Sequence, residues 1–434
     1  MPWSGGTEIG AVYKDNEQVG PGFTLTAQRR NLFGGGEVFA GEITGSYEWF
    51  IGNRGNQGSM PNSFELGTKL SYSIPRLPFP RLWHANPDNP VSSKYSVSAD
   101  WQRRGGFFEM VKTSAAMEYS FSRGKKHSFT FTPLRLTYMQ KVHTTARFDS
   151  IVKRSLALEN SLENQFIPQM IFSWTYDNAS TRQNKRSQQY LRLTIAEAGG
   201  LVDLFAGWWG THKKQGERQL WNQRFSQFVK FTGEFRNTYH ISPKQSLVFR
   251  ALAGMGYNYG NSASTEMPYS EQFYIGGANS LRGFAARTVG PGSVKLSFLE
   301  DFIDIGNIRL FCVGDYKLET NVEYRFPLFG SLNGAFFVDA GNIWNFKTID
   351  KEEEDSELYQ IFKDYVCDYM KGNPLKQLAV DCGAGLRLDL GMLVVRFDVG
   401  VPLHDPNQMG DHYFNCREGF FKQLGYNLAV GYPF

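Results

Sequence analysis

The stretch Leu318–Phe326, LETNVEYRF, decides the fold class. In an extended chain Leu318, Thr320, Val322, Tyr324 and Phe326 fall on one face, and Glu319, Asn321, Glu323 and Arg325 on the other. A period of two belongs to a β-strand, whereas the apolar residues of an amphipathic helix recur every three or four positions. One apolar face and one charged face fit a strand with lipid on one side and water on the other. A soluble β-sandwich would instead turn its apolar faces onto one shared core. Charges repeated on the same face in strand after strand fit a hydrated lumen better than a packed interior.

The alternation continues in both directions. Downstream, Leu386, Leu388 and Leu390 alternate with Gly385, Arg387 and Asp389. Past a turn at Gly391, Leu393, Val395, Phe397 and Val399 alternate with Val394, Arg396 and Asp398, which completes a hairpin. Upstream, Leu247, Phe249, Ala251, Ala253, Met255, Tyr257 and Tyr259 form an apolar stripe, as do Phe39, Ile43, Tyr47 and Trp49, and Val111, Ala115, Met117, Tyr119 and Phe121. Marking every such run gives about fifteen strands, near 22–30, 37–49, 64–73, 94–103, 107–121, 127–141, 166–177, 188–197, 225–240, 246–259, 318–327, 334–344, 380–390, 392–400 and 425–434. Bacterial single-chain barrels have even strand numbers, so about sixteen are expected, with the missing one sought within 142–165. The predicted fold is all-β: a transmembrane antiparallel barrel over residues 21–434, behind a lead-in of residues 1–20. Short connections at 330–333 and 391 suit periplasmic turns, and 74–93, 200–224, 260–317, 345–379 and 401–424 suit external loops.

Composition excludes other classes. The 434 residues include Phe 36, Tyr 21 and Trp 9, far more aromatic surface than a disordered chain carries. No window of about 18 consecutive apolar residues exists, which excludes a helical membrane protein. A net charge of +4, evenly spread, gives no footprint for a nucleic-acid partner. Cys312, Cys367, Cys382 and Cys416 lack the CxxC spacing of zinc or redox sites, and their pairing is open. GxSxG, P-loop and HExxH motifs are absent, so no catalytic residue, cofactor or resident metal is predicted. His404, Asp405, Asp411, His412 and Cys416 gather near the end but match no standard metal site. The acidic run Asp350 to Asp355 reads as a solvated loop. The start, MPWSGG, lacks the basic and apolar regions of a secretory signal, so an exported protein would have been processed, or the chain is an excised piece.

The connection 260–317, about 58 residues, exceeds ordinary loop lengths, and such loops are usually functional or disordered. Its composition is not that of disorder. Within Glu266–Phe284, EMPYSEQFYIGGANSLRGF, the glycines Gly276, Gly277 and Gly283 permit backbone conformations closed to other residues, so Arg282 can stand at the tip of a tight fold-back. A guanidinium brought into a lumen needs carboxylate partners. Glu323 faces inward by the alternation, and Asp339 in FFVDAGN lies on the next strand.

Together, GGANSLRGF, FFVDAGNIW, VEYRFPL and CGAGLRLD resemble the superfamily of outer-membrane assembly proteins of the BamA, TamA and TamL type, also called bacterial surface antigens. The resemblance runs from about residue 20 to the C-terminus and is densest in the C-terminal half. It implies a loop folded into the lumen through Arg282, Gly283 and Phe284, with Arg282, Glu323 and Asp339 as the cluster that locks it. It also implies the outer membrane of a Gram-negative bacterium, unfolded β-barrel clients, outer-membrane lipids, and periplasmic or lipoprotein subunits as partners. Relatives carry POTRA modules ahead of the barrel, and residues 1–20 cannot hold one, so the expectation is either the barrel portion of a longer protein or a relative without them.

The two ends of the barrel must meet at a seam. The last strand, YNLAVGYPF, puts Tyr426, Leu428, Val430, Tyr432 and Phe434 on the lipid face, while Gly431 and Pro433 weaken its pairing. The first strand, FTLTAQRR, contains Phe23 and Leu25 and follows Gly20, Pro21 and Gly22. The expectation is a seam between 22–30 and 425–434 that frays, with the first-strand edge templating an incoming strand. The alternative within the same superfamily is a polypeptide-secreting or passive pore whose seam stays closed.

Overall fold

The computed structural model describes residues 3–14, 18–50, 62–78, 89–104, 108–145, 149, 164–179, 186–205, 212–214, 217–220, 223–262, 267–293, 312–346, 374–391, 393–407 and 424–434. The strands are β1 (Ser4–Lys14), β2 (Gln18–Arg30), β3 (Val38–Phe50), β4 (Ser63–Ile74), β5 (Val91–Arg104), β6 (Phe108–Arg123), β7 (His127–Thr144), β8 (Gln165–Asp177) and β9 (Ser187–Ala198). Three short strands follow, β10 (His212–Lys214), β11 (Glu217–Leu220) and β12 (Gln223–Arg224). The rest are β13 (Phe228–Ser242), β14 (Gln245–Asn258), β15 (Tyr316–Phe329), β16 (Leu332–Trp344), β17 (Ala379–Asp389), β18 (Val394–His404) and β19 (Gly425–Val430).

One sixteen-stranded antiparallel sheet takes β1 to β9 and then β13 to β19 in chain order, as expected of a chain of hairpins. The sixteenth strand is β1, not a segment within 142–165. It lies inside the presumed lead-in and pairs with β2 from Ser4↔Gln28 to Lys14↔Gln18. Phe23 and Leu25 therefore stand on the second strand, between β1 and β3, and the edge of the sheet is β1. Strand alternation also moves one loop. The connection 75–90 lies at the same end as the two-residue turns 243–244 and 330–331, so it joins the periplasmic turns and not the external loops. The acidic run at 350–355 lies outside the described residues.

The sheet is apolar on its outside and charged within. Leu70, Val97, Phe336, Tyr426 and Leu428 are each more than half exposed on the outer face. Glu323, Asp339 and Asp398 are fully buried on the inner one. That inversion suits a wall standing in hydrocarbon. The segment Met267–Gly292 carries the loop into the lumen, where Tyr269 and Arg287 face β3 to β7 and Arg282 faces β15 to β19, so the sheet curls around it. At the external end, Phe166, Val202, Leu220 and Phe225 form a satellite core beside the small three-stranded sheet.

Candidate functional site

The loop folds back on itself before it reaches the wall. Phe273 and Gly314 exchange both backbone hydrogen bonds at 2.9 Å, Arg287 donates to Ile275 at 2.9 Å, and Gly277 donates to Phe284 at 2.8 Å. Gly276 and Gly277 turn the chain at φ +97° and +94°, in the left-handed region that favours glycine. A Cβ on Gly276 would stand 2.2 Å from the Ala285 carbonyl. Phe273, Ile275, Leu281, Phe284 and Val289 pack with Ile343 and Ala379 of the wall. This apolar base fixes the loop, and Arg282 projects from its tip.

Arg282 is fully buried. Its Nε donates to Asp339 Oδ2 at 2.8 Å and its Nη2 to Asp339 Oδ1 at 2.9 Å, a two-pronged pair, while Nη1 donates to Glu323. Its backbone N–H also reaches Asp339, at 3.2 Å. The Phe337 ring centroid lies 3.6 Å from the guanidinium carbon and that of Phe434 lies 5.5 Å away. Burial opposes the charge on Arg282, but attraction to Asp339 outweighs it and holds the pKa above the ordinary arginine value. The structure thus brings Arg282, Glu323 and Asp339 into one cluster, with Gly283 and Phe284 beside it.

The cluster extends well beyond those three. Glu323 also receives Arg325 at 2.6 Å and Arg387 at 3.1 Å, and Asp398 receives Arg387 at 2.6 Å and Arg396 at 3.1 Å. Wall side chains also bind the loop's backbone directly, beginning with Arg250 of β14, which donates to the Asn279 carbonyl at 3.3 Å. Arg396 donates to the Ala278 carbonyl at 2.9 Å, Asn321 to that of Ser280 at 2.9 Å, and Asn427 to that of Arg282 at 2.7 Å. Ser280 in turn donates to Glu319 at 2.7 Å. Contacts from β14 to β19 therefore converge on the loop tip. Glycines make the approach possible, because a Cβ on Gly400 or Gly425 would stand 2.6 Å from the loop backbone. A Cβ on Gly283 would stand 2.5 Å from that of Asp381, whose buried oxygens have no hydrogen-bond partner among the described residues. Sequence reading missed Arg387, Arg396, Asp398, Asn427 and Asp381 as members of the cluster. The available signal was the inward parity of β17 and β18, which placed charges of both signs on one face with no partners named for them.

At the seam, β19 ends early. Gly431 has φ +88°, and the last residues leave the sheet and turn into the lumen. Arg325 lies 4.2 Å from the Tyr432 ring centroid and donates to the Phe434 carbonyl at 3.4 Å. Tyr432 and Phe434 therefore do not continue the lipid-facing stripe, and Pro433 is buried. β19 pairs with β18 only from Val395↔Val430 to Gly400↔Gly425. No pairing joins β1 to β19 among the described residues.

The opposite side of the lumen is open. A cavity of about 370 Å³ separates the loop residues Tyr269 and Arg287 from Glu65, Asp100, Lys112 and Lys141 of the wall. Among the described residues no group of His, Cys, Asp and Glu could hold a metal ion. His404 Nδ1 hydrogen-bonds with the Leu378 carbonyl at 2.6 Å, and Asp405 accepts from the Asn407 N–H at 2.9 Å. Asp411, His412 and Cys416 lie outside the described residues.

The model of the Omp85 superfamily domain matches residues 31–421. The outer membrane protein assembly factor BamA of Neisseria meningitidis serogroup B is 29% identical over 115 residues, which is 25% of this chain and 13% of that protein. The match thus spans a small part of that relative's length. The crystal structure of BamA from Haemophilus ducreyi lacking POTRA domains 1–3 superposes with a TM-score of 0.57 at 13% identity, over 98% of this chain and 70% of that one. CdiB from Escherichia coli aligns with a TM-score of 0.48 at 13% identity, over 94% and 60%.

Proposed function

The chain belongs to the Omp85 superfamily and is an outer-membrane β-barrel, and on that premise we propose that it folds β-barrel clients into the outer membrane through the seam between β1 and β19. The observation that carries this reading is the imbalance of the sheet's two ends. β1 offers 11 residues paired on one side, while β19 has only 6. A strand edge left without a partner presents N–H and C=O groups to any extended chain. Backbone pairing accepts many sequences, which suits unfolded outer-membrane proteins as a class of client.

In this mechanism Arg282, Gly283, Phe284, Glu323 and Asp339 lock the loop, and the lock keeps β14 to β19 together while the β1 edge parts from β19. Gly276 and Gly277 set the turn that delivers Arg282. Gly431, Pro433 and Phe434 lift the end of the chain out of the ladder and shorten the seam. Phe23 and Leu25 back the edge from the second strand. The role is one of templating and needs no catalytic residue or cofactor. Membrane lipids receive the product, and periplasmic or lipoprotein subunits would deliver the client.

The test is the folding of a urea-denatured outer-membrane protein into liposomes that contain this chain. It is run with and without a disulfide tying positions 4–8 of β1 to positions 427–429 of β19, in a background lacking the native cysteines. Acceleration that the disulfide abolishes and reduction restores is the expected result. Acceleration untouched by the disulfide overturns the seam. No acceleration, with steady ion conductance in a planar bilayer, favours the polypeptide-secreting or passive pore.

A further inference from the structure

The outer face of β3 to β7 carries a depression of about 350 Å³. Its place follows from register. One row across the sheet reads Phe39, Tyr72, Tyr95, Met117 and Leu134, all large. The next row reads Gly41, Leu70, Val97, Ala115 and Leu136. Gly41 and Ala115 are small, so the wall sinks on either side of Leu70 and Val97, which are 56% and 55% exposed. The resulting groove is apolar and opens to the membrane, not to the lumen.

The groove ends toward the short turns, and there the outer face becomes basic. Arg29 pairs with Phe39 across β2 and β3, so both point outward, and Arg29 Nε is a buried nitrogen with no hydrogen-bond partner among the described residues. The chain after β4 then crosses the outer face of β5, where the Ser93 hydroxyl donates to the Arg76 carbonyl at 2.6 Å and holds the exposed Arg76 above the tyrosines. Tyr95 and Tyr119 meet there edge to face, with centroids 6.5 Å apart. Arg123, exposed, closes the far side, and Lys125 follows it in the turn. With strands about 4.8 Å apart, Arg29 and Arg123 lie roughly 20 Å from each other along the rim, and Arg76 falls between them.

The charges opposing these cations are few. Among the described residues, the outward positions at this end of β2 to β7 hold no carboxylate. The nearby acid is Glu37, which is buried, accepts from the Phe33 and Gly35 N–H groups at 3.4 and 3.0 Å, and also feels Arg76. Glu118 pairs with Lys94 on the lumen side. A cation on the lipid-facing side of a barrel is unfavourable unless it sits at the headgroup level and finds an anion there. An aromatic girdle marks that level.

We propose that this surface binds an anionic glycerophospholipid of the periplasmic leaflet, with an acyl chain in the groove over Leu70, Val97 and Ala115 and the headgroup phosphate at Arg76, flanked by Arg29 and Arg123. The apolar trough, the tyrosine belt and the basic rim follow one another in the order of a lipid's own parts. The site lies away from β1 and β19, so it stands whether the seam opens or stays closed.

Native mass spectrometry of the full chain in detergent tests this, with palmitoyl-oleoyl phosphatidylglycerol and the phosphatidylcholine of the same chains as probes. Each cation engaged by an anionic headgroup is worth about fivefold in affinity. Phosphatidylglycerol should therefore be retained at least about fivefold better than phosphatidylcholine. Arg76→Glu should bring the two lipids level. Ala115→Trp, which fills the trough from outside, should reduce retention of both. Heat-modifiable gel mobility checks that each variant is folded, and Arg29→Gln serves as a second rim variant if Arg76→Glu is not. Equal retention of the two lipids by the unsubstituted chain overturns the proposal. So does phosphatidylglycerol retention unchanged in folded rim and trough variants.

Discussion

Between β2 and β7 the inner wall of the barrel faces water, whereas between β14 and β19 it faces the loop. In the first region a cavity lies over Glu65, Asp100 and Lys112, Gln102 donates to Glu65 at 2.5 Å, and Asp100 and Lys112 are exposed. In the second, Glu319, Glu323, Asp339, Arg387, Arg396 and Asp398 are each no more than 1% exposed. The same alternation of residue types built both walls. Water alone satisfies inward charges cheaply, but once a loop expels it, every charge requires a partner of opposite sign or a fixed dipole. Loop docking is thus a property of one half of the barrel, and the half next to β1 is left free to deform.

The change that should most damage this contrast is Arg282→Ala. It leaves Asp339 and Glu323 buried without their shared cation, a loss of about 3–5 kcal/mol when one partner of a buried pair is removed. Maleimide labelling of Ala278→Cys, now buried, should accelerate by roughly a hundredfold or more while the barrel stays folded. Folding of a client protein should slow in the same variant. Next comes steric intrusion. Gly400→Ala or Gly425→Ala drives a methyl to 2.6 Å from the loop backbone, and overpacking of this kind costs about 1–3 kcal/mol. The same labelling should rise about tenfold for either substitution. Removing the ring with Phe434→Ala takes away cation–π contacts worth about 0.5–2 kcal/mol, and a reporter cysteine at Asn279 should gain a few-fold in labelling. The smallest effect belongs to the wet wall. Lys112→Ala removes an exposed inward charge that water already solvates, a change of about 0–1 kcal/mol, and should leave labelling of the loop unchanged. A loop released by Lys112→Ala as readily as by Arg282→Ala would erase the distinction between the halves.

How far each half can be read from sequence follows the same division. The strand period and the acid partners of Arg282 are legible because β15 and β16 alternate cleanly, so parity alone assigns Glu323 and Asp339 to the lumen. β1 escaped notice because SGGTEIGAVYK puts glycine at 5, 6 and 10, where no side chain marks either face. The inward turn of the tail depends on the φ of Gly431, which a glycine in sequence permits but does not require. The wider cluster was hidden for another reason. Arg387 and Arg396 pair through Asp398 across neighbouring strands and through a loop more than a hundred residues away in sequence, and such pairings follow from register rather than from local pattern.

The inward tail also governs how the molecule can be handled. Phe434 ends beneath Arg325 and beside Arg282, so an affinity tag added after it would begin inside the lumen, among the groups that grip the loop. Such a tag would have to displace Phe434 or thread past it to become accessible. A protein tagged at that end would report on an altered latch, and an insertion at the Ser331 turn, which joins β15 to β16 in solvent, would leave it intact.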